Sequence, residues 1–455
     1  MESVQTRVES QTEQKGKLRR VLGVAFGIAV AMGGTIGVGI LRTPRTVAAQ
    51  LGTPKLIVAA WILGGTYALL GANSIAELAA SLPNAGGWYV YARRSFGDYI
   101  GFTIGWLDWL GSCAALALVA ITIGEYTTAL AIVLSSSVKA IAIVVLVFFS
   151  LLHLIGVRAG SGIQQLLSLL TALAFIAIVI ACFVFGGKNP NAVSPQTALN
   201  LPSAAMALFI SVLLALQAII FTYDGWYGPI YIAEEFSNPA RDLPRSMFGS
   251  VLSIICIYVL VNLALLYVLP VPEIAASNLP VADATQIIFG GHSGQVITGL
   301  ALISLLGLTN AVIMGVPRIL FGLSRDGLFP SKVTFVNRGG TPAVALLLST
   351  LVAILLVVSG TFERLLAMSA FFYVTIYTTG FVSLFVLRKR EPELPRPFKA
   401  WGYPWTTLIV LVGSMIFLFS AVISDTTNSI YAVLLIAIGY PIYFLIKRFS
   451  SQRAR

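Results

Sequence analysis

The chain has 455 residues, of which 57% are hydrophobic and 10% are charged, and its mean hydropathy is +0.90. A soluble globular protein carries about a quarter of its residues as charges. This composition therefore excludes a water-soluble fold and predicts an all-α polytopic membrane protein. The formal net charge of +11 is spread along the chain rather than gathered in one basic patch, so we expect no nucleic-acid partner.

Apolar runs long enough to cross a bilayer recur along the chain. A spanning helix needs about 20 mostly apolar residues, and the runs between polar or Pro/Gly breaks predict twelve spans. They cover 21–49, 55–82, 98–130, 138–156, 160–186, 203–235, 247–270, 294–323, 342–360, 363–387, 405–424 and 427–447. The polar residues 1–20, which lack a cleavable apolar core, and residues 448–455 are predicted to be cytosolic tails.

The distribution of positive charge predicts the orientation of the spans. With these boundaries, 23 of the 29 Lys and Arg residues fall on the side of the N-terminus. Cytoplasmic loops of membrane proteins carry an excess of Lys and Arg. We therefore predict a multi-pass protein of the cell membrane (plasma or inner) with both termini in the cytoplasm. The same asymmetry accounts for the basic net charge without any anionic partner.

Residues that could carry covalent or metal chemistry are sparse. Three cysteines (Cys113, Cys182 and Cys256) lie inside apolar runs, and the two histidines (His153 and His292) are too few to build a metal cluster. We predict no cofactor, no metal and no enzymatic activity. A membrane enzyme would need a nucleophile–base pair or a metal cluster, and a channel would need rings of carbonyls or charges along a pore; both are distant alternatives.

Two predicted spans are interrupted at mid-depth. Residues 33–40 (GGTIGVGI) contain four glycines, and residues 222–229 (TYDGWYGP) contain two glycines and a proline. Glycine and proline cost about 1 and 3 kcal/mol inside a helix, and unwound backbone is tolerated at this depth only where protein or a wet cavity surrounds it. Close packing through small residues is the alternative for either segment alone. Two breaks, one opening each group of five spans, favour a transporter of inverted repeats with its site between them.

The polarity of the broken helices predicts the kind of ligand. The first half of each broken span ends at the midplane with free carbonyl groups, and the second half of span 1 begins there with free amides around Val38 and Gly39. Amides at a helix start suit an anion, and the carbonyls suit a cation. A zwitterionic α-amino acid satisfies both, so we predict an amino-acid substrate, with an amine or polyamine permease as the alternative.

Four segments, taken in order, resemble the amino acid–polyamine–organocation superfamily, most closely its L-type amino acid transporter branch. These segments are residues 33–40, 76–106, 221–246 and 317–330. The resemblance extends from about residue 20 to residue 447 and implies a LeuT-like fold of twelve helices in a five-plus-five inverted repeat, with helices 1 and 6 broken. It implies repeat 1 over 21–186, repeat 2 over 203–387 and two appended helices over 405–447.

The resemblance also implies the substrate-binding residues. The family's carboxylate-binding backbone falls on Ile36, Gly37, Val38 and Gly39. Its amine-binding carbonyls fall on Thr35, Phe221, Thr222 and Asp224, next to Gly225, and Phe221 takes the position of an aromatic lid over the substrate. Transport by alternating access is expected. The preferred side chain, the oligomeric state and any accessory subunit are not predicted.

The coupling chemistry is left open by the sequence. Many members of the family carry a lysine in span 5 whose ammonium substitutes for sodium, and this chain has Thr171 there. We expect sodium-independent exchange, with proton-coupled symport as the alternative.

Asp108, inside predicted span 3, is interpreted either as a proton relay or as a carboxylate paired with a neighbouring donor. Tyr373, in predicted span 10, either packs in the core or lines the site.

The remaining carboxylates near the spans have two interpretations each. Ionisable groups at membrane depth are costly, so Asp224 is expected to face the substrate amine or a cationic side chain; the alternative is that it only caps the second half-helix. Glu77, Glu234 and Glu235 lie near predicted span ends on the side of the N-terminus. They are interpreted as ordinary interfacial carboxylates, with a gating role as the alternative.

Overall fold

The computed structural model describes residues 18–130, 138–186 and 205–453, and α-helices dominate them. The predicted N-terminal tail lies outside the described residues except for its last three. The helices are α1 (Val24–Thr35), α2 (Gly39–Leu51), α3 (Pro54–Ser81), α4 (Trp88–Phe96), α5 (Asp98–Ala129), α6 (Val138–Ile155), α7 (Val157–Phe185), α8 (Ala205–Thr222), α9 (Pro239–Val268), α10 (Val271–Ala276), α11 (Pro280–Phe289), α12 (Ser293–Arg325), α13 (Ala343–Ser359), α14 (Phe362–Arg390), α15 (Trp405–Ser424) and α16 (Thr426–Arg453).

Helix length and apolar character confirm the all-helical membrane fold. Within the described ranges, eight helices are long and apolar enough to cross a membrane, and the bent pair α1 and α2 together makes a ninth span. Three shorter apolar helices, Leu208–Thr222, Ala343–Ser359 and Trp405–Ser420, lie where spans 6, 9 and 11 are predicted. The total of twelve spans stays a prediction, because these three helices are short for a full crossing.

Short helices and one helix end differ from the predicted boundaries. Helix α4 lies in the predicted loop between spans 2 and 3, and it is bounded by Gly87 and Gly97, which both have positive φ. Helices α10 and α11 lie between spans 7 and 8, each with a proline in its first turn, a position that favours helix initiation. Helix α16 continues to Arg453, so residues 448–453 are helical, and their place in a cytosolic tail stays a prediction.

The broken spans lie in the middle of the helix bundle. Helix α1 packs against α7, α9 and α12, whereas α2 packs against α8 and α10. Helices α6, α7 and α15 lie at the periphery and expose large apolar side chains such as Val144, Leu166 and Phe419. Exposed apolar side chains on peripheral helices are expected where lipid is the solvent. The central position surrounds the unwound backbone of both breaks with protein.

Candidate functional site

Span 1 is broken at its glycine-rich segment, as predicted. Helix α1 ends at Thr35, α2 begins at Gly39, and the two helices are bent by 54°. The Ile36 amide completes the last turn of α1 by donating to the Met32 carbonyl at 2.7 Å. The amides at the start of α2 have no partner within that helix, and Gly39 is exposed.

Span 6 is broken at the predicted Asp-Gly step, and its backbone contacts the break in span 1. Helix α8 ends at Thr222, residues 223–227 form turns, and a 3₁₀ helix follows over Gly228–Glu235. Gly225 has φ = +110°, a conformation that side chains rarely allow. A Cβ atom on Gly225 would lie 2.4 Å from the carbonyl oxygen of Gly34. Glycine is therefore required for the close approach of the two breaks.

A buried tyrosine of α9 joins the carbonyl ends of the two breaks. The Tyr258 hydroxyl lies 3.1 Å from the carbonyl oxygen of Thr35 and 3.2 Å from that of Thr222. The carbonyl of Phe221 accepts the Asp224 amide at 3.3 Å. The Phe221 carbonyl therefore already has its own protein donor, and the carbonyls of Thr35 and Thr222 share the single hydroxyl proton of Tyr258. Because a carbonyl oxygen has two lone pairs, each can still accept from a substrate.

A cavity of about 420 Å³ lies against both breaks. Three of the predicted substrate-binding and coupling residues do not line it: Ile36, which is 1% exposed and packs in the core, and the buried Asp108 and Thr171. The structure brings the others together around one space. They are Thr35, Gly37, Val38, Gly39, Phe221, Thr222, Asp224, Gly225 and Tyr373.

The residues that line the cavity are buried towards the side of the N-terminus and exposed towards the opposite side. Tyr231, Met314 and Val316 line its inner end and are all buried. At its outer end, which we call the mouth, Arg42 is exposed and the side chain of Phe221 is 63% exposed. Phe221 therefore does not cover the cavity in this conformation. A solute can approach the breaks from the side opposite the N-terminus.

An ion pair seals the protein below the inner end of the cavity. Arg318 of α12 donates to both carboxylate oxygens of Glu235, at 2.8 and 3.2 Å, and both side chains are buried. Glu234 is partly exposed and pairs with Arg325 at 2.5 Å. The interpretation of Glu235 as an interfacial carboxylate is wrong, because its side chain is buried. The bidentate arginine offsets the cost of burying its charge.

Glu77 is likewise buried rather than interfacial. Its side chain is 1% exposed and pairs with Arg388 at 2.5 Å and with Arg396 at 3.2 Å. The Ala400 amide donates to the same carboxylate at 2.7 Å. These contacts join the end of span 2 to the end of span 10 and the loop after it. The two arginines supply the compensation that a buried carboxylate needs, and the sequence pattern alone did not indicate it.

Asp224 points to the cavity and is held by two tyrosines. One carboxylate oxygen accepts the Tyr377 hydroxyl, and the other accepts the Tyr227 hydroxyl at 3.3 Å. The 3₁₀ helix after the break begins at Gly228 and has no side-chain cap. The alternative that Asp224 only caps this half-helix is therefore wrong. Asp224 lines the cavity, and its carboxylate has no ion-pair partner among the residues described.

Asp108 lies behind the inner end of the cavity. One of its carboxylate oxygens accepts the Tyr231 hydroxyl at 2.9 Å, and the other is buried without a hydrogen-bond partner in the described part of the chain. Tyr231 also lines the cavity. Asp108 is thus paired with a neighbouring donor, but it keeps one unused buried oxygen next to the site.

Polar side chains of α7 that the sequence analysis did not single out contact the first half of span 1. Gln164 and Ser168 both donate to the Ala29 carbonyl, at 3.2 and 2.7 Å. The Gln164 amide lies so close to α1 that a Cβ atom on Gly33 would be 1.9 Å from it. The sequence signal that could have identified these two residues is a pair of polar side chains four apart in an apolar span, because such residues share one helix face. Both lie on α7, the helix that also contains Thr171.

Comparisons with known proteins agree with this architecture. The family model described as "Amino acid permease" matches residues 22–440. The chain is 29% identical over 442 residues to the serine/threonine exchanger SteT of Bacillus subtilis, which covers 96% of this chain and 99% of that protein. It is 25% identical over 452 residues to the human b(0,+)-type amino acid transporter 1, covering 96% and 90%. It is 26% identical over 436 residues to the human large neutral amino acids transporter small subunit 2, covering 94% and 80%.

Proposed function

Because the chain belongs to the amino acid permease family, it is a secondary transporter of amino acids, and we propose that it works as a sodium-independent exchanger with alternating access. One observation carries this proposal. The two broken helices meet at one cavity, so that the amide end of α2 and the carbonyl ends of α1 and α8 lie within a single small site. The names of two relatives, an exchanger and a b(0,+)-type transporter, support amino-acid exchange.

The polarity of the site fits a zwitterion in one orientation. The α-carboxylate would bind at the start of α2 around Val38 and Gly39, where helix amides point outwards. The ammonium would lie near the carbonyls of Thr35 and Thr222 and the carboxylate of Asp224. An ester lacks the negative charge and a simple amine lacks the carboxylate, so both should inhibit far more weakly than the parent amino acid.

Hydrogen bonds to span 1 support sodium independence. The Ala29 carbonyl in the middle of α1 already accepts from Gln164 and Ser168. These neutral donors reduce the capacity of that oxygen to bind a cation, and the Gln164 amide fills the space beside Gly33. The charge distribution supports an orientation with both termini in the cytoplasm, since 23 of 29 Lys and Arg residues lie on that side of the predicted spans.

Uptake into proteoliposomes tests exchange directly. Purified protein is reconstituted into vesicles that are either empty or loaded with an unlabelled amino acid, and uptake of labelled serine, leucine and arginine is followed. We expect rapid uptake only into loaded vesicles, unchanged when choline replaces sodium. Equal uptake into empty and loaded vesicles would contradict exchange, and loss of uptake in choline would contradict sodium independence.

Proton-coupled symport is the second candidate, and Asp108 is the observation that favours it. A buried carboxyl with one tyrosine donor and no cationic partner within the described residues is poorly suited to stay charged, so it is a natural proton acceptor. Symport predicts that an acidic exterior drives uptake into empty vesicles and that Asp108→Asn abolishes this drive. The exposed Asp425 supplies the control variant Asp425→Asn. An absent pH drive in the wild-type protein would exclude symport.

A further inference from the structure

The mouth of the cavity carries a basic side chain that the exchange mechanism has not used. Arg42 lies on α2 and lines the cavity together with Gly39 and Thr43. Residues three apart share one face of a helix, so Arg42 lies on the same face as Gly39 and about 4.5 Å further along the helix axis. Among the described residues that line the cavity, Arg42 and Asp224 are the only ones of type Arg, Lys, Asp or Glu.

The guanidinium of Arg42 is free to bind a solute. Arg42 is exposed, and it forms no hydrogen bond or ion pair with any residue that the structure describes. Arg45, one turn further along the same helix, is also exposed, but it donates to the Asn278 side chain at 2.5 Å and does not line the cavity. A basic residue inside a membrane span is costly unless it faces a wet cavity or a partner. Arg42 meets the first condition.

The two positive features of α2 lie along one path into the protein. An anion approaching from the mouth first meets the Arg42 guanidinium and then the amides at the start of the helix. The guanidinium offers five donors in a planar fork that matches a carboxylate. The negative charge of Asp224 lies at the break itself, where the ammonium is expected. The order of charges along the cavity therefore matches the two ends of a zwitterion entering carboxylate first.

We propose that Arg42 forms a carboxylate-binding site at the mouth, which captures the substrate's α-carboxylate before it reaches the amides of α2. The inference rests on the proposed function, since it assumes that an amino acid is the solute. Arg42 acts only while the cavity is open on its own side. Its removal should therefore weaken binding from the side opposite the N-terminus and leave binding from the other side unaffected.

Half-saturation concentrations measured from the two sides test this site. Uptake by whole cells reports the outer side, and uptake by inverted vesicles reports the inner side, each with a saturating amino acid in the opposite compartment. We expect Arg42→Gln to raise the outer half-saturation concentration at least about tenfold, as for loss of a charge-assisted hydrogen bond. The inner value and both values of the matched control Arg45→Gln should stay near wild type. Arg42→Lys keeps the charge without the fork and should be intermediate.

A competitor without the negative charge separates charge recognition from a structural role. The α-carboxamide of the substrate is used to inhibit outer uptake by the wild type and by each variant. We expect Arg42→Gln to leave the inhibition constant of the amide nearly unchanged while the affinity for the acid falls. If acid and amide weaken equally, or if Arg42→Gln behaves like Arg45→Gln, the mouth site is refuted. If Arg42→Gln does not reach the membrane, Arg42→Lys is used instead, and its affinity for the acid is compared with its inhibition constant for the amide in the same way. Absence of exchange by the wild type would instead refute the proposed function.

Discussion

Replacing Gly225 with alanine should block transport by forcing the two helix breaks apart. The residue has φ = +110°, and a non-glycine residue in such a sparsely populated region costs about 1–3 kcal/mol. The new Cβ atom would also lie 2.4 Å from the Gly34 carbonyl oxygen and 2.7 Å from its carbonyl carbon. Overpacking of this kind costs a further 1–3 kcal/mol, approximately. Even a total of about 2 kcal/mol lowers the population of this conformation about thirtyfold.

The assay is exchange in proteoliposomes with matched amounts of folded protein. Gly225→Ala and wild type are reconstituted side by side, and their monodispersity in detergent confirms that the variant folds. The initial rate of labelled amino-acid uptake into loaded vesicles should fall at least tenfold, in line with the strain above. Substrate binding to the purified variant should weaken in parallel, because the site is formed by the two breaks.

The matched control lies on the other side of the same contact. A Cβ atom on Gly34 would find its nearest neighbour, the Gly225 carbonyl oxygen, at 3.5 Å, which is ordinary van der Waals contact. Gly34→Ala should therefore lose much less activity than Gly225→Ala. Wild-type rates for Gly225→Ala, or equal losses for the two variants, would refute the view that the close backbone contact between the breaks is required.

Three further predictions follow from the site and its seal. Asp224→Asn should weaken arginine more than alanine, by about 1–3 kcal/mol, and an unchanged ratio of apparent affinities would show that Asp224 does not contact the cationic side chain. Arg318→Gln leaves Glu235 buried without its partner, which costs about 3–5 kcal/mol; the melting temperature in detergent should fall, and adding Glu235→Gln should restore part of it. Replacing Gln164 with alanine removes one of the two side-chain donors to the Ala29 carbonyl and should reduce transport, and a gain of sodium stimulation would identify that carbonyl as a latent cation ligand.

Local sequence signals predicted the backbone of the site well. Four glycines in residues 33–40 and the Asp-Gly step at 224–225 mark places where a helix cannot continue cheaply, and both breaks occur there. Span boundaries were also readable, because the apolar run that crosses a bilayer is long and continuous. The positions of the helices and of their breaks are therefore encoded locally, in apolar runs and in the residues that interrupt them, and do not depend on which helices pack beside them.

Side-chain partners across the bundle were not readable in the same way. Glu77 pairs with Arg388, which is 311 residues away, and Glu235 pairs with Arg318, which is 83 residues away. Whether a carboxylate near a span end meets water or an arginine depends on how the helices pack, and the pattern of one span does not contain that information. For the same reason Thr171 was the residue singled out in span 5, whereas Gln164 and Ser168 make the polar contacts with span 1.

Tyr258 offers the most direct test of whether the carbonyls at the breaks bind the substrate amine. Its hydroxyl is buried between the carbonyl oxygens of Thr35 and Thr222 and shares one proton between them, so Tyr258→Phe removes one donor from the pair, at a cost of about 1–3 kcal/mol. The melting temperature of the substrate-free protein should fall. If the substrate ammonium donates to these oxygens, a bound amino acid restores a donor that the variant lacks. The rise in melting temperature caused by saturating amino acid should therefore be larger in Tyr258→Phe than in wild type. A simple amine without the carboxylate should give little of this rise. An equal ligand-induced shift in Tyr258→Phe and wild type would show that the ammonium binds elsewhere, with the carboxylate of Asp224 as the nearest acceptor along the cavity.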